Sequence, residues 1–207
     1  MWINYLMKKS TIILAEIYDL LSFFILTIGI IIFIRFFIFT PYTVVGSSMF
    51  PTFENKDRII VEKFTKNFSN FERGDVIVFV PPEKKIPYIK RIIAFPGETV
   101  IVQNNSVYIC SKDITTNTLV KSSEGLWCEK LEENYLQIGA ITAATCWKSE
   151  FKVENGYFTM WDNRGHTTDS LCCFGIQCYE WANYVVPNSH ILGKVRTKLY
   201  PKITKQF

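Results

Sequence analysis

The feature that most constrains this chain is an apolar segment near its N-terminus. Residues Leu20–Ile34 are uncharged and almost wholly apolar, and Phe36–Phe39 continue the pattern after Arg35. Taken as one helix, Leu20–Phe39 has about the 20 residues needed to cross a hydrocarbon core of roughly 30 Å. Near the end of such a helix the Arg35 head group can reach the interface, which costs far less than a charge at the centre of the bilayer. The segment therefore predicts a membrane anchor.

The flanks of this segment favour a retained anchor over a removed secretion signal and give it a direction. Lys8 and Lys9 precede it, no small-residue cleavage site follows it, and Pro41 comes at once. The first basic residue after it is Lys56, so the positive-inside rule places the N-terminus in the cytoplasm and the rest of the chain outside. We expect residues 1–19 to form a cytoplasmic tail and residues 20–39 to form the transmembrane anchor.

Beyond Pro41 the hydrophobic pattern no longer has a helical period. Short β-rich runs such as Val76–Val80 are separated by turns that contain proline and glycine. Residues 41–102 and 158–200 are predicted to form one antiparallel β core, and the more polar residues 103–157 a smaller inserted β subdomain. The predicted fold class is mostly β, with one N-terminal transmembrane helix.

The composition argues against several classes of protein. The net charge is +4, and no cluster of lysine and arginine is interleaved with aromatic residues, so no nucleic-acid site is predicted. The six cysteines match no common zinc spacing and only two histidines are present, so no metal or other cofactor is predicted. The cysteines are explained equally well as disulfides of an extracytoplasmic domain and as small buried apolar side chains.

Two stretches carry candidate chemistry. Val45–Thr52 reads V-G-S-S-M-F-P-T and holds Ser48 in a small-residue turn, where a serine becomes a nucleophile only if a base takes its proton. Tyr88–Glu98 places the amine of Lys90 among apolar neighbours. Burial disfavours a charged lysine, and lowering its pKa by about 2–3 units from about 10.4 requires roughly 3–4 kcal/mol. A lysine in a strand is ordinarily a solvated surface charge, so from these residues alone Ser48 and Lys90 are candidates and the pairing of the two is left open.

These stretches, together with Arg73–Val76 and Trp161–Ser170, resemble in the same order the motifs of type I signal peptidase, a membrane-bound serine/lysine protease. The resemblance runs from about residue 41 to about residue 195 and is weak over the predicted insertion. It implies a β-barrel-like catalytic core, Ser48 as the nucleophile and Lys90 as the general base, with no metal or cofactor.

The resemblance also implies supporting residues and partners. Gly46 would contribute to binding the oxyanion, and Thr167 would orient the lysine amine. The positions that match the family's substrate pockets are Tyr42, Val44, Tyr88 and Ile89. The implied partners are signal peptides of exported preproteins and the lipid bilayer, and we expect a monomer in the bacterial cytoplasmic membrane, with a single span and the catalytic domain on the extracytoplasmic side.

Some residues depart from the family pattern and leave alternatives open. Gly46 stands where many relatives have serine, and Leu171 stands where an arginine usually pairs with the aspartate at Asp169. His166 lies between two aspartates in sequence, so a Ser-His-Asp triad is a rival to the serine/lysine pair. A peptidase that processes a single partner, and a peptide-binding relative without catalysis, are the alternative functions.

Overall fold

The computed structural model describes residues 2–68, 71–82, 84–114, 120–142, 146, 148–165, 169–175, 178, 183–200 and 204–205. The chain divides into two compact units, Met1–Thr40 and Pro41–Phe207.

The first unit is one long helix, α1 (Trp2–Phe33), followed by a π-helical turn over Ile34–Ile38. Within α1, Ile13–Phe33 is a stretch of 21 residues with a mean hydropathy of 2.0, and none of that apolar stretch is buried by the protein. At 1.5 Å per residue such a stretch is about 30 Å long, which matches the hydrocarbon core of a bilayer. The helix is therefore long and apolar enough to cross a membrane.

The bounds of this helix differ from the predicted anchor at Leu20–Phe39. The helix begins earlier, because the residues before Leu20 include good helix formers and no proline or glycine. Phe39 is extended, with φ −130° and ψ 140°. A proline two residues later disfavours helical backbone just before it, so the chain changes to strand at Phe39. The cytoplasmic tail over residues 1–19 stays a prediction.

The rest of the chain is built mainly from short strands. In chain order they are β1 Phe39–Thr43, β2 Arg58–Glu62, β3 Val76–Phe79, β4 Tyr88–Ala94, β5 Thr99–Gln103, β6 Ser106–Cys110, β7 Cys128–Lys130, β8 Glu150–Lys152, β9 Phe158–Met160, β10 Ile191–Tyr200 and β11 Thr204–Lys205. The short helical segments are α2 Thr65–Phe68 and the 3₁₀ segments Ser170–Gly175 and Asn188–His190.

The described strands form two sheets. The larger has the order β1-β2-β10-β3-β4-β9, with β11 beside β10, and the smaller has the order β7-β6-β5-β8. The pairings of β10 with β2 and β3, and of β4 with β3 and β9, are antiparallel. The smaller sheet begins at Thr99, so β5 belongs to it and not to the core to which the sequence assigned residues up to 102. A shared apolar cluster that includes Val100 and Phe158 packs the two sheets together.

The mostly β fold class is confirmed, and the barrel-like core is an open sheet, not a closed barrel. Among the described strands, the larger sheet runs from β1 at one end to β9 at the other without a pairing that closes it. After Tyr200 the chain adds β11 to this sheet, antiparallel to β10. An open sheet leaves the outer side of β1 as an edge.

The middle of the larger sheet is buried on both faces, as β3 illustrates. Val76 and Val78 pack into one apolar cluster, whereas Ile77 and Phe79 pack into another. Successive side chains of a strand point to opposite faces, so β3 lies between two apolar layers. Its neighbour β4 lies between the same layers, with Lys90 directly opposite Ile77.

The cysteines form disulfides, which answers the question that their spacing left open. Cys110 pairs with Cys128 across β6 and β7, Cys146 with Cys172, and Cys173 with Cys178. The last two bridges tie the segment Ser170–Gly175 to other parts of the chain. That segment follows Asp169 directly, so the bridges stabilise the backbone next to the candidate site.

Candidate active site

Ser48 lies in the turn region between β1 and β2, and apolar neighbours anchor that region. Met49 and Phe53 are fully buried, in a cluster that also contains Val61 and Val78. The backbone N–H of Phe53 donates to the Met49 carbonyl at 2.8 Å. Ser48 itself is only half-buried. The turn is therefore held by its apolar residues while Ser48 lies at the protein surface.

Asn163, from the loop after β9, binds the same turn at two points. Its backbone N–H donates to the Ser48 carbonyl at 2.9 Å, and its side-chain amide donates to the Ser47 carbonyl at 3.1 Å. These bonds join two segments that are more than 110 residues apart in sequence. Asn163 thus positions the backbone of the candidate nucleophile.

Gly46 has a different environment from the one that an oxyanion donor needs. Its φ of +93° lies in the left-handed region that favours glycine, so the residue is required for its backbone freedom. Its N–H donates to the side-chain oxygen of Asn55 at 3.0 Å. The Gly46 N–H would have to leave Asn55 in order to bind an oxyanion, and its role there stays a prediction.

Lys90 is buried at the centre of β4, with an exposed fraction of only 2%. Its amine donates to the carbonyl of Ile89 at 3.2 Å. Burial lowers the pKa of Lys90 from 10.5 to about 7, although the negative charges of Asp169 and Asp162 act in the opposite direction. A substantial fraction of this amine is therefore neutral near pH 7, as a general base requires.

Ser48 and Lys90 open on one cavity of about 700 Å³. The other predicted site residues that line it are Tyr42, Val44, Gly46, Tyr88 and Ile89. In the part of the chain that the structure describes, no hydrogen bond joins Ser48 to Lys90. Catalytic hydrogen bonds are often long in an unliganded site and shorten only when substrate binds.

Further residues line this cavity that the sequence did not assign to the site: Ile59, Val78, Ile86, Pro87 and Trp161. Trp161 begins one of the matched motifs, which was the only signal for it. Ile86 and Pro87 come from the proline-rich loop before β4, and nothing in their local pattern indicates a cavity.

On the other side of β4, Arg91 is held in a buried ion pair. Two of its guanidinium nitrogens donate to the two carboxylate oxygens of Asp162, at 2.8 and 2.6 Å. A third donates to the Gly74 carbonyl at 2.7 Å, and the hydroxyl of Thr52 donates to Asp162 at 2.5 Å. Arg91 thus connects β4 to the loop after β9 and to the Ser48 turn, and it points away from Lys90 as strand alternation predicts.

Asp169 is buried and held by backbone donors instead of an arginine. The N–H groups of Trp161 and Leu171 donate to its carboxylate at 3.2 and 3.0 Å. Burial raises the pKa of Asp169, and these hydrogen bonds and the charge of Lys90 oppose that rise. The backbone of Leu171 therefore contacts Asp169 although its side chain cannot form the family's ion pair.

Other predictions fall elsewhere. Thr167 and His166 lie outside the described residues. His190 shares a hydrogen bond between its Nδ1 and the Val80 carbonyl, 2.9 Å apart, and it does not line the cavity. Arg164, in the motif that Trp161 begins, pairs with Glu133. In the described ranges no three histidine, cysteine or acidic side chains gather in a way that would hold a metal ion.

Comparisons with known proteins agree with the motifs. The family model described as signal peptidase, peptidase S26, matches residues 17–200. A signal peptidase I P of Bacillus subtilis subsp. natto is 32% identical over 169 residues, which is 82% of this chain and 83% of that protein. A signal peptidase I of Bacillus amyloliquefaciens is 35% identical over 154 residues, 73% of this chain and 74% of the relative.

A crystal structure of a signal peptidase I from Enterococcus faecalis V583 aligns with 61% of this chain and 97% of its own length, at 21% identity and a TM-score of 0.33. That structural likeness is too distant to carry an argument. The family model and the Bacillus relatives cover most of the chain, and they confirm the resemblance seen in the motifs. The chain belongs to the signal peptidase family, peptidase S26.

Proposed function

We propose that this protein is a membrane-bound endopeptidase that removes N-terminal signal peptides from exported preproteins, with Ser48 as nucleophile and Lys90 as general base. The observation that carries the proposal is the buried Lys90 amine, whose pKa is lowered to about 7 and which opens on the same cavity as Ser48. The signal peptidases among its relatives give the reaction class and the substrate class.

The chemistry follows from these two groups. Ser48 Oγ attacks the scissile carbonyl carbon while the Lys90 amine accepts its proton, and the tetrahedral intermediate carries its negative charge on the former carbonyl oxygen. The Ser48 N–H is the donor that we assign to this oxygen. The intermediate collapses to an acyl-enzyme as Lys90 returns the proton to the leaving amine. Water activated by the same amine then releases the signal peptide and regenerates Ser48.

The substrate is expected to bind as an added strand on β1. This strand lies at the end of the described strand order, so its outer edge is available for backbone hydrogen bonds with an extended peptide. Tyr42 of β1, Val44 directly after this strand, and Tyr88 and Ile89 of β4 line the cavity. Their apolar side chains would accept small apolar residues next to the scissile bond.

The apolar helix supplies the location. We propose that α1 crosses the bacterial cytoplasmic membrane once, with Lys8 and Lys9 on the cytoplasmic side and the residues after Pro41 outside. Disulfides among the residues after Pro41 support an oxidising compartment for them. We expect the enzyme to act as a monomer.

Processing of a preprotein by the full chain in proteoliposomes tests the assignment. We expect the wild type, Ser47→Ala and His166→Ala to cleave, and Ser48→Ala and Lys90→Ala to lose at least about a thousandfold in kcat/KM. Ser47→Ala is the matched control, since it removes a hydroxyl from the neighbouring residue of the same turn.

The pH dependence adds a second check. Because Lys90 acts in its neutral form, kcat/KM is expected to rise through about pH 7 as the amine loses its proton. Activity in Lys90→Ala with none in His166→Ala would transfer the role of base to histidine. Cleavage of one preprotein among several unrelated ones would favour a peptidase dedicated to a single partner.

A further inference from the structure

The Lys90 amine lies against two aromatic rings. Its nitrogen is 4.0 Å from the centroid of the Trp161 ring and 5.0 Å from that of Tyr88. Both rings also line the cavity that Ser48 lines. A cation within about 6 Å of the face of an aromatic ring is attracted by the ring quadrupole, most strongly by tryptophan. Trp161, the nearer of the two rings, is thus also the one that attracts a cation more strongly.

This contact matters because Lys90 changes its charge during the reaction that we propose. The amine is neutral when it accepts the Ser48 proton and is an ammonium ion in the tetrahedral intermediate. The hydrogen bond of this amine goes to a neutral acceptor, the Ile89 carbonyl. The negative groups whose charges reach it, Asp169 and Asp162, are bound by other donors, the first by backbone N–H groups and the second by Arg91. An aromatic face therefore stabilises the ammonium without an ion pair that would hold the lysine protonated.

We propose that Trp161 is a positioning residue for the general base: its indole face holds the Lys90 side chain in place and stabilises the ammonium ion that forms when Ser48 attacks. The proposal depends on the assignment of Lys90 as the base. It gives Trp161, the first residue of its motif, a role that is distinct from that of Asp162 and Asn163, which follow it. Those two residues hold Arg91 and the Ser48 turn.

Trp161 has two effects on the amine that act in opposite directions. Its bulk excludes water, which disfavours the ammonium ion, whereas its π face favours that ion. Leucine and phenylalanine are both smaller than tryptophan and leave similar space, but only phenylalanine keeps a π face. Comparing Trp161→Leu with Trp161→Phe therefore isolates the contribution of the ring.

The test measures kcat/KM against pH for the full chain in proteoliposomes. We expect Trp161→Leu to move the acidic limb to lower pH than in Trp161→Phe, by about half a unit to one and a half units. Its plateau is expected to be about two- to tenfold lower, because the ammonium in the transition state has lost the ring. Trp127→Leu, which removes a ring lying under the Lys121 amine, should match the wild type and serves as the control.

A titration independent of activity accompanies the kinetics. The ¹⁵N resonance of the Lys90 amine, followed in the Ser48→Ala background, should show the same order of pKa values for the two variants. If Trp161→Leu does not fold, Trp161→Met supplies the non-aromatic variant, since methionine fills irregular space.

The outcomes separate this inference from the proposed function. Equal limbs in the leucine and phenylalanine variants, or a higher limb for leucine, would overturn the role of Trp161 while leaving the serine/lysine pair intact. Processing by Ser48→Ala would overturn the proposed function instead, and the amine titration would still decide whether the indole holds an ammonium ion.

Discussion

Two neighbouring positions of β4 carry buried basic side chains whose bonding partners differ. Lys90 and Arg91 are 2% and 4% exposed, so both have been taken out of water. Arg91 meets the carboxylate of Asp162 through two hydrogen bonds. Lys90 meets a backbone carbonyl and two aromatic rings.

The difference shows that burial alone does not decide the charge of a side chain. A guanidinium that faces a bidentate carboxylate keeps its charge and ties three segments together. An amine buried without such a partner loses part of its charge, and its pKa falls to about 7. The strand thus provides one structural cation and one candidate base from adjacent residues.

The largest expected effect is on activity, when the Lys90 amine is replaced by a guanidinium. Lys90→Arg keeps a cation but removes the neutral form, so kcat/KM for preprotein processing should fall at least about a thousandfold. Lys152→Arg is the control, because its side chain is 54% exposed, and it should process normally. A Lys90→Arg variant with a tenth of the wild-type activity would show that the base lies elsewhere.

Removing the partner of the structural cation should affect stability next most strongly. Asp162→Asn leaves the Arg91 guanidinium buried without a counter-charge, which should lower the free energy of unfolding by about 3–5 kcal/mol. Urea unfolding of the full chain in detergent measures it. The matched control is Glu124→Gln, which breaks the exposed pair with Lys152 and should change stability by about 0–1 kcal/mol. Equal effects of the two variants would contradict the comparison.

The pH dependence of stability should distinguish the two cations as well. Between about pH 7 and the ordinary lysine pKa of 10.5, the unfolded chain binds a proton at residue 90 that the folded chain does not, so wild-type stability rises with pH across that window. Lys90→Met lacks this contribution. Its stability relative to the wild type should therefore be greatest at pH 7 and below, and should decline by about 3–5 kcal/mol on approaching the upper limit.

Arg91→Met gives the contrast for that experiment. This substitution leaves the Asp162 carboxylate buried without its counter-charge, so the Arg91→Met protein should be less stable than the wild type at pH 7. The Lys90→Met protein should not be less stable than the wild type at that pH. A difference between Lys90→Met and the wild type that does not change with pH would mean that the lysine is charged when buried.

The smallest effect is expected at Asn163, whose loop also supplies Asp162 to Arg91. Asn163→Ala removes the bond to the Ser47 carbonyl but leaves the backbone bond to Ser48, so kcat/KM should fall about five- to thirtyfold, as expected for a loss of about 1–2 kcal/mol. The exposed Gln137→Ala is the matched amide control. No change in kcat/KM would show that the backbone bond alone positions the turn.

Much of the site could be predicted from local sequence. The motif order indicated the family that the comparisons confirm, and the same motifs named Ser48 and Lys90, which line one cavity. The apolar segment predicted a helix, although its bounds lay elsewhere because helix-forming residues precede Leu20 and strand begins at Phe39. The family motif suggested that Gly46 contributes to the oxyanion site, and this stays a prediction; that its N–H donates to the Asn55 side chain was visible only in the structure.

Periodicity and turn chemistry are local properties, so the sequence alone indicated an apolar helix, a series of strands after it, a serine in a tight turn and a lysine among apolar residues. Only the tertiary structure decided which groups surround that lysine. The indole of Trp161 and the carboxylates of Asp162 and Asp169 come from a segment some 70 to 80 residues away along the chain. The charge of a buried amine depends on those neighbours, and no local sequence pattern identifies them.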